Sequence, residues 1–255
     1  MPDEDPFAPS ARIRTDLAAL KRDVALLGRH VDEAAGRARR LERRRSAGRP
    51  DAVFLHVPKS AGSSIIEAMQ AAGGRHYLDV GTIRAAFPQQ GIACFSHISY
   101  LDLREAGLVS EDYARRAFTF TVVRDPFDRA VSLFHYLIRH EKLPSRLTFA
   151  LFSELLVQGL YEPIGLYNVL GLSQCAPQVT WLRDRDGELM ADLVGRFEDL
   201  EPLVRELRER GIVAGELGHA NASAPRRDTS SYYRSAEVRR NVEEAYRADL
   251  EAFGA

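Results

Sequence analysis

One stretch of the sequence combines a lysine with small and hydroxylated residues, as phosphate-binding loops do. It runs Pro58-Lys-Ser-Ala-Gly-Ser-Ser64, between an apolar run at 53–57 that predicts a buried strand and a helical pattern at 65–72. Backbone N–H groups at a helix start have no partners within the helix and attract anions. We expect this loop to bind a phosphate group through Lys59, Ser60, Ala61, Gly62, Ser63 and Ser64. The alternative is an ordinary strand-to-helix turn with one exposed lysine.

A histidine ends the second predicted core strand. Residues 92–97 are apolar and β-prone, and His97 closes them in the sequence Ser96-His-Ile-Ser-Tyr-Leu-Asp102. Ligands of open α/β sheets bind beyond the carboxyl ends of the strands, so His97 is a candidate general base, with Asp102 a candidate for orienting its ring. A lone histidine is more often structural. The rival bases are His56, which falls within the first strand and therefore favours a packing role, and His76, His135 and His140.

A third stretch places an arginine at the end of the clearest strand pattern, residues 117–123. It reads Val122-Val-Arg-Asp-Pro-Phe-Asp-Arg-Ala-Val-Ser132, in which Pro126 suits the first turn of a helix and Asp125 its N-cap. Arg124 would then lie at the strand end and Ser132 about two turns into the helix. An anion beyond this strand could meet a guanidinium group and a hydroxyl group together.

These three stretches, in this order, resemble the motifs of sulfotransferases that use 3′-phosphoadenosine 5′-phosphosulfate (PAPS). Lys59 precedes Gly62, so the loop is not a Walker A loop, in which the lysine follows the glycines. It resembles the 5′-phosphosulfate loop, and the stretch from 122 to 132 resembles the 3′-phosphate motif. The sequence around His97 is similar to that around the catalytic histidine of heparan sulfate and uronyl 2-O-sulfotransferases. The resemblance covers residues 53–136 and suggests a bacterial carbohydrate sulfotransferase.

The resemblance implies a function and roles for these residues. A sulfuryl group would move from PAPS to an acceptor hydroxyl, on a glycan or glycolipid, without a metal ion. Lys59 would neutralise the leaving oxygen, His97 would take the acceptor proton, and Arg124 and Ser132 would hold the 3′-phosphate. Two other classes stay open, a nucleotide-phosphate kinase and a non-catalytic nucleotide-binding assembly protein.

The later part of the chain contributes one further candidate site. Residues 221–233 resemble the loop that closes over the nucleotide, which makes Arg226 and Arg227 candidate phosphate ligands; an exposed charged loop is the alternative. The remaining elements predicted in this part are helices at 148–160, 199–210 and 235–253 and a short strand from residue 193. Residues 161–180 are irregular and are candidates for the acceptor cleft. The predicted fold is α/β, a mostly parallel sheet with flanking helices.

The N-terminal part predicts a separate element. Residues 1–10 are predicted to be a disordered tail, and residues 11–48 a coiled-coil helix that mediates self-association before a catalytic domain at 50–255. Apolar residues alternate in steps of four and three, with Leu17, Val24 and Val31 at heptad position a and Leu20 and Leu27 at position d. An amphipathic helix lying on its own domain is the alternative.

Composition limits the remaining classes. The 255 residues suffice for one α/β domain, and a formal net charge of −1 argues against a protein that coats nucleic acid. No apolar run approaches the roughly 20 residues of a membrane span, and no signal peptide is recognisable, so we expect a cytoplasmic protein. Cys94 and Cys175 have neither disulfide-framework nor metal-ligand spacing and are predicted to be buried or half-buried thiols.

Overall fold

A computed structural model describes residues 11–159, 172–215 and 229–254, and their side chains from Leu17 onward. The predicted N-terminal tail, residues 161–171 of the candidate acceptor segment, and both Arg226 and Arg227 lie outside the described residues. Within the described parts of the chain, no helix has both the length and the apolar character that a membrane span requires.

The centre of the fold is a sheet of five parallel strands, which confirms the predicted α/β class. The strand order is β2-β3-β1-β4-β5, so β1 lies between β3 and β4. Val53 of β1 pairs with Ala93 of β3 on one side and with Thr119 of β4 on the other. The strands are β1 (Ala52–Leu55), β2 (Arg75–His76), β3 (Ile92–Cys94), β4 (Phe118–Val123) and β5 (Leu193–Arg196).

Helices cover both faces of this sheet. They are α1 (Ala11–Ser46), α2 (Gly62–Ala71), α3 (Val80–Ala86), α4 (Tyr100–Glu105), α5 (Glu111–Arg116), α6 (Pro126–Arg139), α7 (Phe149–Val157), α8 (Gln178–Leu182), α9 (Glu201–Glu209), α10 (Ala236–Ala245) and α11 (Arg247–Phe253), with a 3-10 helix at Ser230–Tyr233. The predicted terminal helix at 235–253 is divided at Tyr246, which has φ −116° and ψ 26°.

The hydrophobic core has a layer on each face of the sheet. Val53 and Leu55 of β1 face one layer, and Ala52 and Phe54 face the other, so the strand is buried throughout. This double burial explains why β1 is an unbroken apolar run instead of an alternating pattern. A third cluster joins α6, α7 and α10, with Phe152 at its centre. Cys94 and Cys175 are buried, free thiols, as predicted.

Two strands end earlier than the sequence predicts. The predicted strands 53–57 and 92–97 stop at Leu55 and Cys94, and the residues after them turn out of the sheet. At the second turn Ser96 adopts a φ of 54°, which is incompatible with a continuing strand. The shortening frees His56 and His97 from the sheet, so both rings can face the space beyond its carboxyl edge.

Helix α1 forms as predicted, and its last turns pack against the domain. Buried Glu42 pairs with Arg75 of β2 at 3.2 Å, and Arg39 donates to the carbonyl of Arg84 in α3 at 3.0 Å. Ser46 packs against Gly91, just before β3. The last turns of α1 thus contact β2, α3 and the segment just before β3.

Candidate active site

The three sequence stretches meet at one cleft of about 550 Å³. It lies beyond the carboxyl ends of β3, β1 and β4, three neighbouring strands. Its lining includes residues from each stretch, namely Lys59, Gly62, His97, Arg124 and Ser132. The order of strands brings them together because β1 lies between the strands that carry the other two motifs.

The loop after β1 has an unusual backbone. Lys59 and Ala61 adopt φ values of 67° and 60°, in the left-handed region that non-glycine residues seldom occupy. Such residues each cost on the order of 1 kcal/mol or more and persist only where the surroundings hold them. Fully buried Arg129 supplies one such restraint, since its Nε donates to the carbonyl of Pro58 at 3.0 Å. The loop is therefore held in shape by the protein itself.

The three loop serines have different surroundings. Ser63 is exposed and lines the cleft. Ser60 is fully buried, and its hydroxyl donates to Oε1 of Gln178 at 3.4 Å. Ser64 is also buried. Ser63 thus lines the cleft, and the hydroxyl of Ser60 bonds to Gln178 within the protein.

Lys59 carries its ammonium group into a cationic and partly dry environment. Nζ lies 4.4 Å from the ring centroid of Tyr136, a cation–π contact. Burial, together with the positive charges of Arg124 and Arg139, lowers the pKa of Lys59 to about 8. The lowered pKa means that the ammonium form of Lys59 is disfavoured in the free protein. An anion bound beside Nζ would stabilise that form.

The backbone of Arg124 is held by hydrogen bonds, whereas part of its side chain has no hydrogen-bond partner among the described residues. Its N–H donates to Oε1 of Gln178 at 2.9 Å, and its carbonyl accepts from Nε2 of the same residue at 2.8 Å. The guanidinium group lies 4.2 Å over the ring of Phe197. Its Nε is buried and has no hydrogen-bond partner among the described residues. Burial lowers the pKa of Arg124, as expected for a cation without a bound anion.

Helix α6 presents a polar stripe to the cleft. As predicted, Pro126 occupies its first turn and the Asp125 carboxylate caps it, accepting from the N–H of Asp128 at 3.0 Å. From there the polar side chains that line the cleft follow helical spacing, and they are Asp128, Ser132, His135, Tyr136 and Arg139; apolar Val131 lines it beside them. The sequence motif identified only Ser132 of this set.

The segment that follows residues 216–228 is anchored on this stripe. Thr229 donates to Asp128 at 2.7 Å, and Nε2 of His135 lies 2.6 Å from the hydroxyl of Tyr232. The hydroxyl of Tyr233 donates to the carbonyl of Phe127 at 2.7 Å. Thr229 itself lines the cleft. Thr229, the first residue described after this gap, therefore lies at the cleft.

His97 lies deep in the cleft, and its Nδ1 forms a hydrogen bond with the backbone. Its Nδ1 donates to the carbonyl oxygen of His56 at 3.4 Å, which leaves Nε2 as the basic nitrogen. Burial lowers the pKa of His97 to about 4, from an ordinary value near 6.5. Asp102 does not have the orienting role considered for it, because it lies in α4 with its carboxylate 3.7 Å from Arg185. A backbone carbonyl orients the ring instead.

The rival histidines separate into three situations. His56 lines the cleft, and its ring centroid lies 4.1 Å from that of His97. The packing role expected for His56 therefore does not account for its position. His135 also lines the cleft but contacts Tyr232. His76, in edge strand β2, and exposed His140, after α6, do not line the cleft.

Three residues that support the loop were not among the candidates from the sequence. Gln178 joins the phosphate loop to the end of β4, although it is 118 residues from Ser60 and 54 from Arg124. The buried carboxylate of Asp249 accepts from the N–H groups of Gln178 and Val179 at 2.8 and 2.9 Å. Arg129 likewise ties the loop to the carbonyls of Gln174 and Ala176. Only the folded chain brings these residues to the loop.

With this geometry established, the chain can be set beside known proteins. Residues 45–163, a little under half of the chain, match the model of the sulfotransferase family, and this range contains all three stretches. A crystal structure of mouse sulfotransferase SULT7A1 complexed with PAP is similar, with a TM-score of 0.42 and 18% sequence identity over 81% of this chain and 67% of that chain. No curated protein matches the chain significantly.

Proposed function

We propose that the protein is a PAPS-dependent sulfotransferase that acts on a hydroxyl group of a carbohydrate or glycoconjugate. The observation that carries this proposal is the meeting of Lys59, His97, Arg124 and Ser132 in one cleft at the carboxyl edge of a parallel sheet. The family match over residues 45–163 supports the same class of reaction. The carbohydrate acceptor rests on the resemblance of residues 96–102 to the 2-O-sulfotransferases.

The cleft suits a ligand with two phosphate groups. Lys59, Arg124 and Arg139 line it, and among the described lining residues Asp128 is the one carboxylate. Nε of Arg124, which has no hydrogen-bond partner among the described residues, and the hydroxyl of Ser132 would hold a 3′-phosphate. The loop N–H groups at the start of α2 would hold a 5′-phosphate. Arg226 and Arg227, in the chain that rejoins at Thr229, would add charge over the nucleotide. Bound PAPS supplies the activated sulfuryl group.

The residues of the chain would then supply charge and a proton acceptor. Lys59 would donate to the leaving 5′-phosphate oxygen, and Nε2 of His97 would accept the proton of the acceptor hydroxyl. The His56 carbonyl, by holding the Nδ1 proton, would fix the tautomer that this requires. These positive groups would take the place that a metal ion has in kinases.

Nucleotide titration separates this proposal from its two alternatives. We expect adenosine 3′,5′-bisphosphate to bind more tightly than ATP, and we expect transfer of label from PAPS to members of a glycan and glycolipid library to persist in EDTA. A kinase would prefer ATP and lose activity in EDTA, and a non-catalytic assembly protein would transfer nothing. Lys59→Met should abolish transfer, and Lys142→Met, outside the cleft, is the matched control.

We also propose that α1 mediates self-association. Its heptad seam is uncovered, with exposures of 59% for Leu20, 61% for Val24, 64% for Leu27 and 59% for Val31. A partner helix would cover this surface in the manner of a coiled coil. Because the turns from Arg39 onward pack on the domain, the suitable test is deletion of residues 1–34. We expect light scattering to show a smaller oligomer with unchanged nucleotide binding; an unchanged mass would reject the proposal.

A further inference from the structure

The cleft contains a second imidazole whose position the proposed roles do not explain. His56 is the first residue after β1, and its ring lies between that of His97 and the phosphate loop. A Cβ added to Gly62 would overlap Nε2 of His56 and crowd the adjacent ring carbons. Gly62 therefore serves here to admit this ring against the loop, and its φ is not in the left-handed region. The conformation of the loop at Gly62 and the position of the His56 ring thus depend on each other.

The two imidazoles have complementary ring nitrogens. In His97, Nδ1 faces a carbonyl oxygen, which can only accept, so the proton lies on Nδ1 and Nε2 is basic. In His56, Nδ1 is buried without a hydrogen-bond partner among the described residues. A buried, unpaired N–H is rarer in proteins than a buried, unpaired acceptor. The proton of His56 is therefore placed on Nε2, the nitrogen beside Gly62 at the cleft.

The surroundings also keep this second ring neutral. Burial lowers the pKa of His56 well below its ordinary value, and any positive charge on His97, His76 or Lys59 lowers it further. A neutral imidazole of this kind can donate a hydrogen bond to an oxygen that gains negative charge, without giving up its proton.

We propose that His56 is a further catalytic residue of the reaction proposed above, donating a hydrogen bond from Nε2 to an oxygen of the phosphosulfate group held by the loop. His97 and His56 thus divide two tasks that one imidazole cannot perform at once. His97 accepts a proton from the acceptor hydroxyl, and His56 donates a hydrogen bond to the group being transferred. The inference rests on the proposed function, since it requires PAPS in the cleft.

The test compares two substitutions of His56 that differ in hydrogen bonding. His56→Gln keeps an N–H donor at nearly the distance of Nε2, whereas His56→Met fills similar space without one. We expect His56→Met to lower kcat by about 100-fold, in the range for losing one preorganised donor, and His56→Gln to stay within about fivefold of wild type. Both should bind adenosine 3′,5′-bisphosphate within about threefold of wild type, and His30→Met on α1 is the matched control.

A second measurement does not depend on turnover. Nitrogen-15 NMR of the free wild-type protein should show the Nε2–H tautomer for His56 and the Nδ1–H tautomer for His97, with PAPS shifting the His56 signal more than adenosine 3′,5′-bisphosphate does. The Nδ1–H tautomer at His56, or equal activity of the Gln and Met variants, would overturn the role of His56 alone. Failure of the wild-type protein to bind the bisphosphate or to transfer from PAPS would reject the proposed function itself, and this inference with it.

Discussion

Nucleotide binding should be accompanied by proton uptake at Lys59. In the free protein burial and two neighbouring arginines lower the pKa of this residue from 10.5 to about 8. An anion placed beside the ammonium group removes both causes, because it provides a counter-charge and replaces the lost hydration. Near pH 8 the protonated fraction of Lys59 is therefore smaller in the free protein than in the complex.

The magnitude follows from the shift. If the complex restores an ordinary pKa, binding should take up about half a proton per site at pH 8 and about 0.9 at pH 9. The complex binds more protons than the free protein, so affinity must fall as pH rises between the two pKa values. Between pH 8 and pH 10 the Kd for adenosine 3′,5′-bisphosphate should rise about 40-fold.

Isothermal titration calorimetry in buffers of different ionisation enthalpy measures this uptake directly. Lys59→Arg carries a permanent charge and should bind with almost no uptake and with little change of Kd over this pH range. Lys142→Met should behave as wild type. Wild-type uptake near zero at both pH 8 and pH 9, or an equal uptake in Lys59→Arg, would refute the assignment of the proton to Lys59.

Four further predictions concern the rest of the cleft. Arg124→Ala should weaken bisphosphate binding by about 10- to 100-fold, as expected for losing a charged hydrogen-bond donor, and calorimetry showing an unchanged Kd would contradict its phosphate role. His97→Ala should lower turnover by about 10² to 10⁴-fold at nearly constant bisphosphate affinity. Because the pKa of His97 is lowered to about 4, it contributes stability above pH 6.5 that is lost as pH falls towards 4, so denaturant titration should show less acid destabilisation in the Ala variant. Gly62→Ala should impair bisphosphate binding and His56→Ala should restore it in the double variant; no restoration would mean that the ring is not what the new methyl group meets.

Local signals in the sequence were sufficient for the position of β1, the start of α6 and the order of the motifs. The apolar run ending at Leu55 is buried on both faces, and Asp125 and Pro126 start α6 where capping chemistry requires it. A strand followed by small, hydroxylated residues and a helix determines a loop with free N–H groups, because those groups have no partner within the helix. The parallel α/β class and the meeting of Lys59, Arg124 and Ser132 follow from such signals.

Tertiary structure alone decided the chemistry of the individual groups. Nothing near His56 in the sequence indicates that its ring contacts His97, 41 residues away, or that Gln178 joins Ser60 to Arg124. Nor does the sequence indicate that the pKa of His97 is about 4 and that of Lys59 about 8. Proton affinities and ring tautomers depend on burial and on charges a few ångströms away, and those neighbours come from distant parts of the chain only when it folds.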